Sequence, residues 1–277
     1  MGHVDPYVPC GYKRTSSEHV PITRKMSQSP SVEKSEVSVI DLPLTERHVN
    51  MSNVLVRAAQ GLSLAEKRIM SCCVSKLDSK RLPDLTKPLV ARISALEFAE
   101  TFGIDPNTAY EELQAAAKGL RDRLIRFEKP GRKGPRIEEM RWVGRATYAK
   151  GEGWIEVAFW HEVVPHLVAL RERFTSYKLS QAAALRSIFS WRLLELFAQF
   201  RSTGLLRIDI EEFAHAMQAS ESCRKNFKDM RRRIIEPAVK ELTEKDGYEI
   251  EWSPQKSGRK VVSLEFRFKM NPQAALF

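Results

Sequence analysis

The chain has no apolar run long enough to cross a bilayer. Its uninterrupted apolar stretches are a few residues long, against the roughly 20 that a spanning helix needs. The N-terminus lacks the charged-then-apolar order of a signal peptide, so a cytoplasmic location is expected. Cysteine is scarce, four in 277 residues. Of Cys10, Cys72, Cys73 and Cys223, the adjacent pair would point about 100° apart on a helix and cannot bridge locally, so all four read as reduced thiols. No GxxxxGK[ST] segment occurs, which excludes a nucleotide-phosphate cradle of that type. His161 and His166 flank Pro165 with no further ligand near them, so no metal is expected. The carboxylate pairs Glu138/Glu139 and Glu211/Glu212 fall at a strand start and a helix start, where acids at the helix suit the cap and dipole. No catalytic residue and no cofactor is assigned.

Positive charge is what the chain has in excess. The net charge is +10 with a pI near 9.5, in a composition 43% apolar and 29% charged. That profile suits a soluble protein of two ordinary domains with a polyanionic partner. About half of the excess lies in residues 174–277, with 18 Lys and Arg against 13 Asp and Glu. Both halves are therefore basic, and local clustering has to decide between them.

The clustering is strongest in SCRKNFKDMRRRIIEPAVK, residues 222–240. Phe227, Met230, Ile234, Ala238 and Leu242 recur at three- and four-residue steps and form one apolar helical stripe, while Lys225, Arg232, Arg233 and Lys240 project away from it. Ser220 or Ser222 is placed to cap the start, and Pro237 predicts a kink after Glu236. A hairpin follows: Tyr248, Ile250 and Trp252 alternate on one arm and Val262, Leu264, Phe266 and Phe268 on the other, around a basic turn from Ser253 to Lys260. A run such as Arg231–Arg233 alone is ordinarily a solvated face. Backed by a hairpin with a cationic tip, it has the form of a winged helix, whose helix enters the major groove while the wing rides the backbone.

In chain order, residues 1–43 are rich in Ser and Pro without periodicity and are expected to be disordered. LSLAEKRIMSCCVSKL predicts an amphipathic helix capped by Ser63, with Glu66 completing a capping box. The strand LVARI follows, then a short helix from Ser94 to Phe102. A longer helix, capped by Asp105 or Asn107, runs through Arg126. The basic loop KPGRKGPR then leads into MRWVGRATYA, a turn at KGEG, and WIEVAF. The second half repeats this order. The long apolar helix SQAAALRSIFSWRLLELFAQF precedes the strand LLRIDI, the short helix IEEFAHAMQ, the basic helix and the hairpin. Glu97, Phe98 and Ala99 match Glu212, Phe213 and Ala214, and Tyr110, Leu113 and Ala117 match Phe227, Met230 and Ile234, as a tandem duplication would. The fold class is therefore α+β: two tandem winged-helix domains, each helical with a C-terminal β-hairpin wing. They span residues 44–165 and 166–277.

The copies differ in charge order. The third helix of the first copy carries Glu111, Glu112 and Gln114 early and Lys118, Arg121 and Arg123 late, whereas the second is basic from its start. Acids at the deep end of a reading helix would meet phosphate at a Coulombic penalty. The second domain is thus the expected base reader of double-stranded DNA. Lys225, Lys228, Arg232 and Arg233 would face bases, with Asn226 and Arg231 as helpers, and Lys256, Ser257, Arg259 and Lys260 would hold phosphates. Lys129, Arg132, Lys133 and Arg136 form an auxiliary contact or a plain basic connector.

The segments VNMSNVLVRAAQGLSLAEKRIM, FTSYKLSQAAALRSIFSWRLLELFAQF and IIEPAVKELTEKDGYEIEWSPQKSGRKVVSLEFRF resemble the theta-type, iteron-binding plasmid replication initiators, the RepA/RepE/Pi group, over roughly residues 45–270. The resemblance implies a bacterial protein whose C-terminal winged helix dominates binding to repeated origin sequences. It further implies that the N-terminal one dimerises in a self-repressing form, in equilibrium with a monomeric initiator that opens the origin and recruits host replication proteins such as a helicase. By position it assigns the reading helix to Lys225–Arg233 and the wing to Gln255–Lys260. A rolling-circle initiator would need a nucleophilic tyrosine beside a metal-binding histidine pair, which is missing here. The alternatives are a dimeric transcriptional repressor with no part in initiation and an adaptor that recruits a protein partner only.

Overall fold

Two three-stranded sheets of the same strand order carry the chain's two halves. The computed structural model describes residues 42–148 and 151–271, so the tail expected to be disordered lies outside the described residues up to position 41, as does Cys10. After a 3-10 turn at Leu44–Glu46, strand β1 (His48–Ser52) enters helix α1 (Asn53–Arg57), capped by Ser52. Helix α2 (Leu64–Ser75) starts on Ser63, whose hydroxyl accepts from the Glu66 amide while the Glu66 carboxylate accepts from the Ser63 amide. Strand β2 (Val90–Ser94) runs directly into α3 (Ala95–Phe102) through a second capping box of Ser94 and Glu97. Asp105 then caps α4 (Pro106–Leu120), with proline at its first position, where no amide partner is needed.

Helix α4 ends at Leu120, short of the expected Arg126. Residues 124–129 form strand β3 (Leu124–Lys129), paired antiparallel with β4 (Arg136–Arg141). The cause is alternation: Ile125 and Phe127 are buried and their neighbours exposed, a period of two that a helix would scatter. Arg126 and Ala59 also exchange backbone hydrogen bonds of 2.8 and 3.0 Å, which fixes the strand. The basic loop expected between helix and wing is thus the tip of an inserted hairpin. Strands β5 (Val143–Tyr148) and β6 (Trp154–Phe159) then complete a sheet of order β2-β6-β5.

Strand β7 (Phe174–Lys178) pairs with β1 from His48↔Lys178 to Ser52↔Phe174. This ladder lies across the boundary expected between Pro165 and His166 and ties the chain after it to the first half. The expected long apolar helix is two helices, α5 (Leu179–Ala183) and α6 (Ile188–Gln199). Ser187 accepts from the Phe189 amide, and the Arg186 amide is diverted to Glu241, so the ladder of a single helix is interrupted between them. Then come β8 (Leu205–Asp209), α7 (Ile210–Ala216) and α8 (Glu221–Lys225). The chain ends in β9 (Tyr248–Ser257) and β10 (Lys260–Met270), in a sheet of order β8-β10-β9. The two sheets share one topology, first strand against last, and the first strand feeds a short helix in both. With the helices between its strands, each sheet has the make-up of a winged helix.

The described residues form one compact unit. At its centre an ionic cluster is almost wholly excluded from water. Lys67 Nζ lies 2.5 Å from Glu195 Oε1 and donates to Gln60 Oε1 at 2.7 Å, and Arg192 Nη1 lies 2.5 Å from Glu195 Oε2. Tyr177 donates to Glu195 at 3.0 Å. Arg192 also reaches the carbonyls of Val56 and Ala58, after β1, and of Ala216, at the end of α7. Burial acts to raise the Glu195 carboxyl, but the charges of Lys67 and Arg192 overcome it and leave the group below its ordinary value. Burial pulls Lys67 down to about 8 against the pull of Glu195. The cluster ties α2, α6, β7 and the backbone after β1 to one another, and Arg192 alone of its members reaches on to α7, through the Ala216 carbonyl.

Candidate nucleic-acid interface

The basic stretch is not the single helix its periodicity suggests. Asn226 breaks it with φ −131° and ψ 105°, ending α8 and capping α9 (Phe227–Met230) through a 3.0 Å hydrogen bond from the Lys228 amide to its side-chain oxygen. Arg231–Ile235 follow as a π-turn, and α10 (Glu236–Asp246) continues the rod. The Glu236 amide donates five residues back, to the Arg231 carbonyl. Pro237, having no amide to offer Arg233, is accommodated by this widened turn, so the ladder is irregular just before the position where the kink was expected. Ser220 takes the cap position of α8 without a side-chain bond to the backbone.

The apolar stripe is buried as expected: Met230, Ile234, Ala238 and Leu242 are covered and Phe227 is half-covered. The opposite face carries Lys225, Lys228, Arg231, Arg232 and Arg233, all exposed. Their local partners are acids of the same segment. Lys225 pairs with Glu221, Arg231 Nε donates to Glu236 at 2.6 Å, and Arg232 Nη2 meets Asp229 at 3.2 Å. The arginine side chains remain 57, 64 and 56% exposed in order, and such surface pairs contribute about 0 to 1 kcal/mol. Each such pair orients its cation yet can be exchanged for a ligand's acceptor. Arg231 lies 5.8 Å above the Trp252 ring on β9, so this side chain braces the helix against the wing. Asn226, expected to help at the bases, is engaged as a cap.

The wing is longer and tighter than expected. The β9–β10 ladder extends to Ser257↔Lys260, so most of the stretch expected as a turn is strand and only Gly258 and Arg259 bridge the arms. Gly258 has φ +61°, which a two-residue hairpin tip requires and other side chains resist. A bulge between Val261 and Ser263 turns Val262 outward, 39% exposed, while Leu264, Phe266 and Phe268 point into the core. Lys256, Ser257, Arg259 and Lys260 are all exposed at the tip. Helix and wing converge on a cleft of about 350 Å³ lined by Glu211, Lys225, Phe227, Lys256, Arg259 and Lys260.

The auxiliary residues sit on the inserted hairpin. Arg132 and Lys133 are exposed at its tip, and Lys129 and Arg136 both pair with Glu138, at 2.6 and 3.0 Å. The hydrogen bond from Lys129 holds the Glu138 carboxyl below its ordinary value, so this acid is a salt-bridge partner. Glu139 pairs with Arg126 and Glu212 with Arg57. His166 shares a 2.8 Å hydrogen bond with Ser52 and stacks on Phe127, and burial lowers its pKa with some help from Lys129. His161 packs on Trp160. Among the described residues no set of three His, Cys, Asp or Glu could hold a metal ion, and no helix is long and apolar enough to cross a membrane.

Two family patterns match the chain, "Initiator Replication protein, WH1" over residues 48–198 and "Initiator Rep protein, WH2" over 209–268. An uncharacterized 27.6 kDa protein of Escherichia coli is 27% identical over 228 residues, covering 78% of this chain and 93% of that protein. Among solved structures, the Pi initiator protein in complex with iteron DNA superposes with a TM-score of 0.69 and 20% identity, over 82% of this chain and 99% of the other. At that identity the likeness establishes the shared fold.

Proposed function

The chain belongs to the initiator replication protein family, and from that premise we propose that it is a plasmid replication initiator that binds repeated origin sequences as double-stranded DNA. The observation that carries this reading is the meeting of the start of the basic segment, at Arg224 and Lys225, with the cationic wing tip on one cleft, beside the exposed run Arg231–Arg233. A groove-inserted helix reads base edges, and a hairpin beside it follows phosphates. Arg232 and Arg233 are the base readers in this account, Lys225 and Lys228 flank them, and Lys256, Ser257, Arg259 and Lys260 grip the backbone. Arg231 and Asn226 are supports. The inserted hairpin, through Arg132 and Lys133 with Lys129 and Arg136 behind them, adds a weaker phosphate contact. The solved relative with this fold was crystallised on iteron DNA, which favours the same class of ligand here.

The finer steps belong to the same proposal: repression of its own gene as a dimer through the first winged helix, and origin opening by monomers that recruit host replication proteins. The competing reading, a dimeric repressor without a role in initiation, shares all the DNA chemistry and differs in the arrangement of sites. Footprinting on the DNA flanking the gene separates them. Protection of a direct-repeat array supports the initiator; protection of an inverted repeat alone supports the repressor; no protection with salt-insensitive binding removes both.

A further inference from the structure

One side chain on the reading face has the wrong sign for DNA. Asp229 lies in α9 with its carboxylate 24% exposed, and three neighbours converge on it. Arg232 Nη2 is 3.2 Å from Oδ1, Arg233 Nε 3.9 Å from the same oxygen, and Asn226 Nδ2 3.4 Å from Oδ2. A carboxylate facing phosphates is repelled unless its charge is engaged by neighbouring cations. It is also the group both central arginines face in the free protein.

We infer that Asp229 is a specificity-determining residue that acts through Arg232 and Arg233. It holds the two guanidinium groups along the helix surface, so a duplex that offers only phosphates must draw them away from a carboxylate already in place. A matching duplex offers two-acceptor base edges that complete the exchange, as guanine does for arginine. Discrimination then comes from a repulsive element set against the wrong partner. Holding the arginines in one rotamer also lowers the ordering cost on the right site. This inference rests on the DNA reading assigned to the helix above. The plainer role for Asp229, an acid favoured in the first turn of a helix, predicts an effect on folding stability and none on the ratio of specific to random binding.

The test uses the full chain in four forms: wild type, Asp229→Asn, the pair Arg232→Gln/Arg233→Gln, and all three together. The probes are a random-sequence duplex and the duplex that the wild-type chain enriches from a random pool, titrated over a range of salt. Asp229→Asn is expected to tighten random binding about tenfold and steepen its salt dependence by about one phosphate contact. The enriched duplex should change by less than about threefold, so the specificity ratio falls. In the glutamine background Asp229→Asn should tighten nothing. Unchanged random binding, equal tightening on both duplexes, or the same tightening without the arginines would each overturn the inference, the last by showing a through-space charge effect alone. Asp229→Ser, which keeps an acceptor at the helix start, replaces Asn if thermal unfolding shows that variant to be unstable. A wild type that enriches no sequence overturns the functional proposal itself, a result distinct from these three.

Discussion

The two winged helices share a sheet topology and a buried stripe, yet they present opposite chemistry where a groove would lie. In the first, α4 carries Glu111, exposed, and Glu112 in its middle turns, and its cations come late or after it: Lys118 leans toward the Tyr148 ring at 5.5 Å and Arg123, past the helix end, is tied to Glu66 at 2.9 Å. In the second, the segment from Arg224 to Arg233 presents six exposed cations. The buried positions correspond, Leu113 and Ala117 with Met230 and Ile234. The fold was therefore held by the stripe while the outer face was free to diverge, and one copy retains the surface that suits a polyanion. A further difference is mechanical. The second copy reaches its wing directly from the helix, while the first interposes β3 and β4, which move the cations to a hairpin tip.

The largest test of this comparison breaks the buried ionic cluster. Glu195→Ala leaves Lys67 and Arg192 buried without their carboxylate and should cost about 3 to 5 kcal/mol in chemical denaturation. Because Arg192 also reaches the Ala216 carbonyl in the second winged helix, one cooperative transition should shift as a whole; two separated transitions would show that the two winged helices fold independently. Next, Arg232→Ala or Arg233→Ala should weaken binding to the enriched duplex by about 1 to 3 kcal/mol, measured by fluorescence anisotropy. An equal loss on random duplex reassigns that arginine to the backbone.

Asp246, in the last turn of α10, sharpens the contrast from the side of stability. Burial pushes its carboxyl up to about 7, with Arg201 opposing, and its Oδ2 has no hydrogen-bond partner among the described residues. The folded state therefore binds this proton more readily than the unfolded chain, whose ordinary value is 3.8. Stability should fall as pH rises from about 4 to 7 and stay lower above that. Asp246→Asn should gain about 1 to 3 kcal/mol at pH 8 and little at pH 4, read from urea melts at the two values. Smallest is the wing tip: Lys260→Ala should weaken all sequences alike and lower the salt slope by about one. A sequence-dependent loss there would move base reading into the wing.

What was legible in the sequence was local or periodic. The capping boxes at Ser63/Glu66 and Ser94/Glu97 depend on residues three apart, and the stripe from Phe227 to Leu242 on helical spacing, so both could be found without coordinates. Strand β3 was hidden because only Ile125 and Phe127 carry its alternation and no glycine or proline separates it from α4. The β1–β7 ladder joins segments far apart in the chain, a pairing that neither segment encodes alone. Within the candidate site the cations were found from charge, but the cap at Asn226, the brace of Arg231 on Trp252 and the grip of Asp229 on its arginines are matters of rotamer and tertiary placement. The KDMRR spelling held a clue to the last, since an acid three residues before an arginine shares its helical face.

Strand β9 forms an outer margin of its sheet, with Pro254 in its length and Glu249, Glu251 and Lys256 on its exposed positions. A proline cannot donate to an incoming backbone, and charges discourage a flat apolar approach. Neighbouring molecules lined up along a nucleic acid would thus be kept from zipping together at this margin.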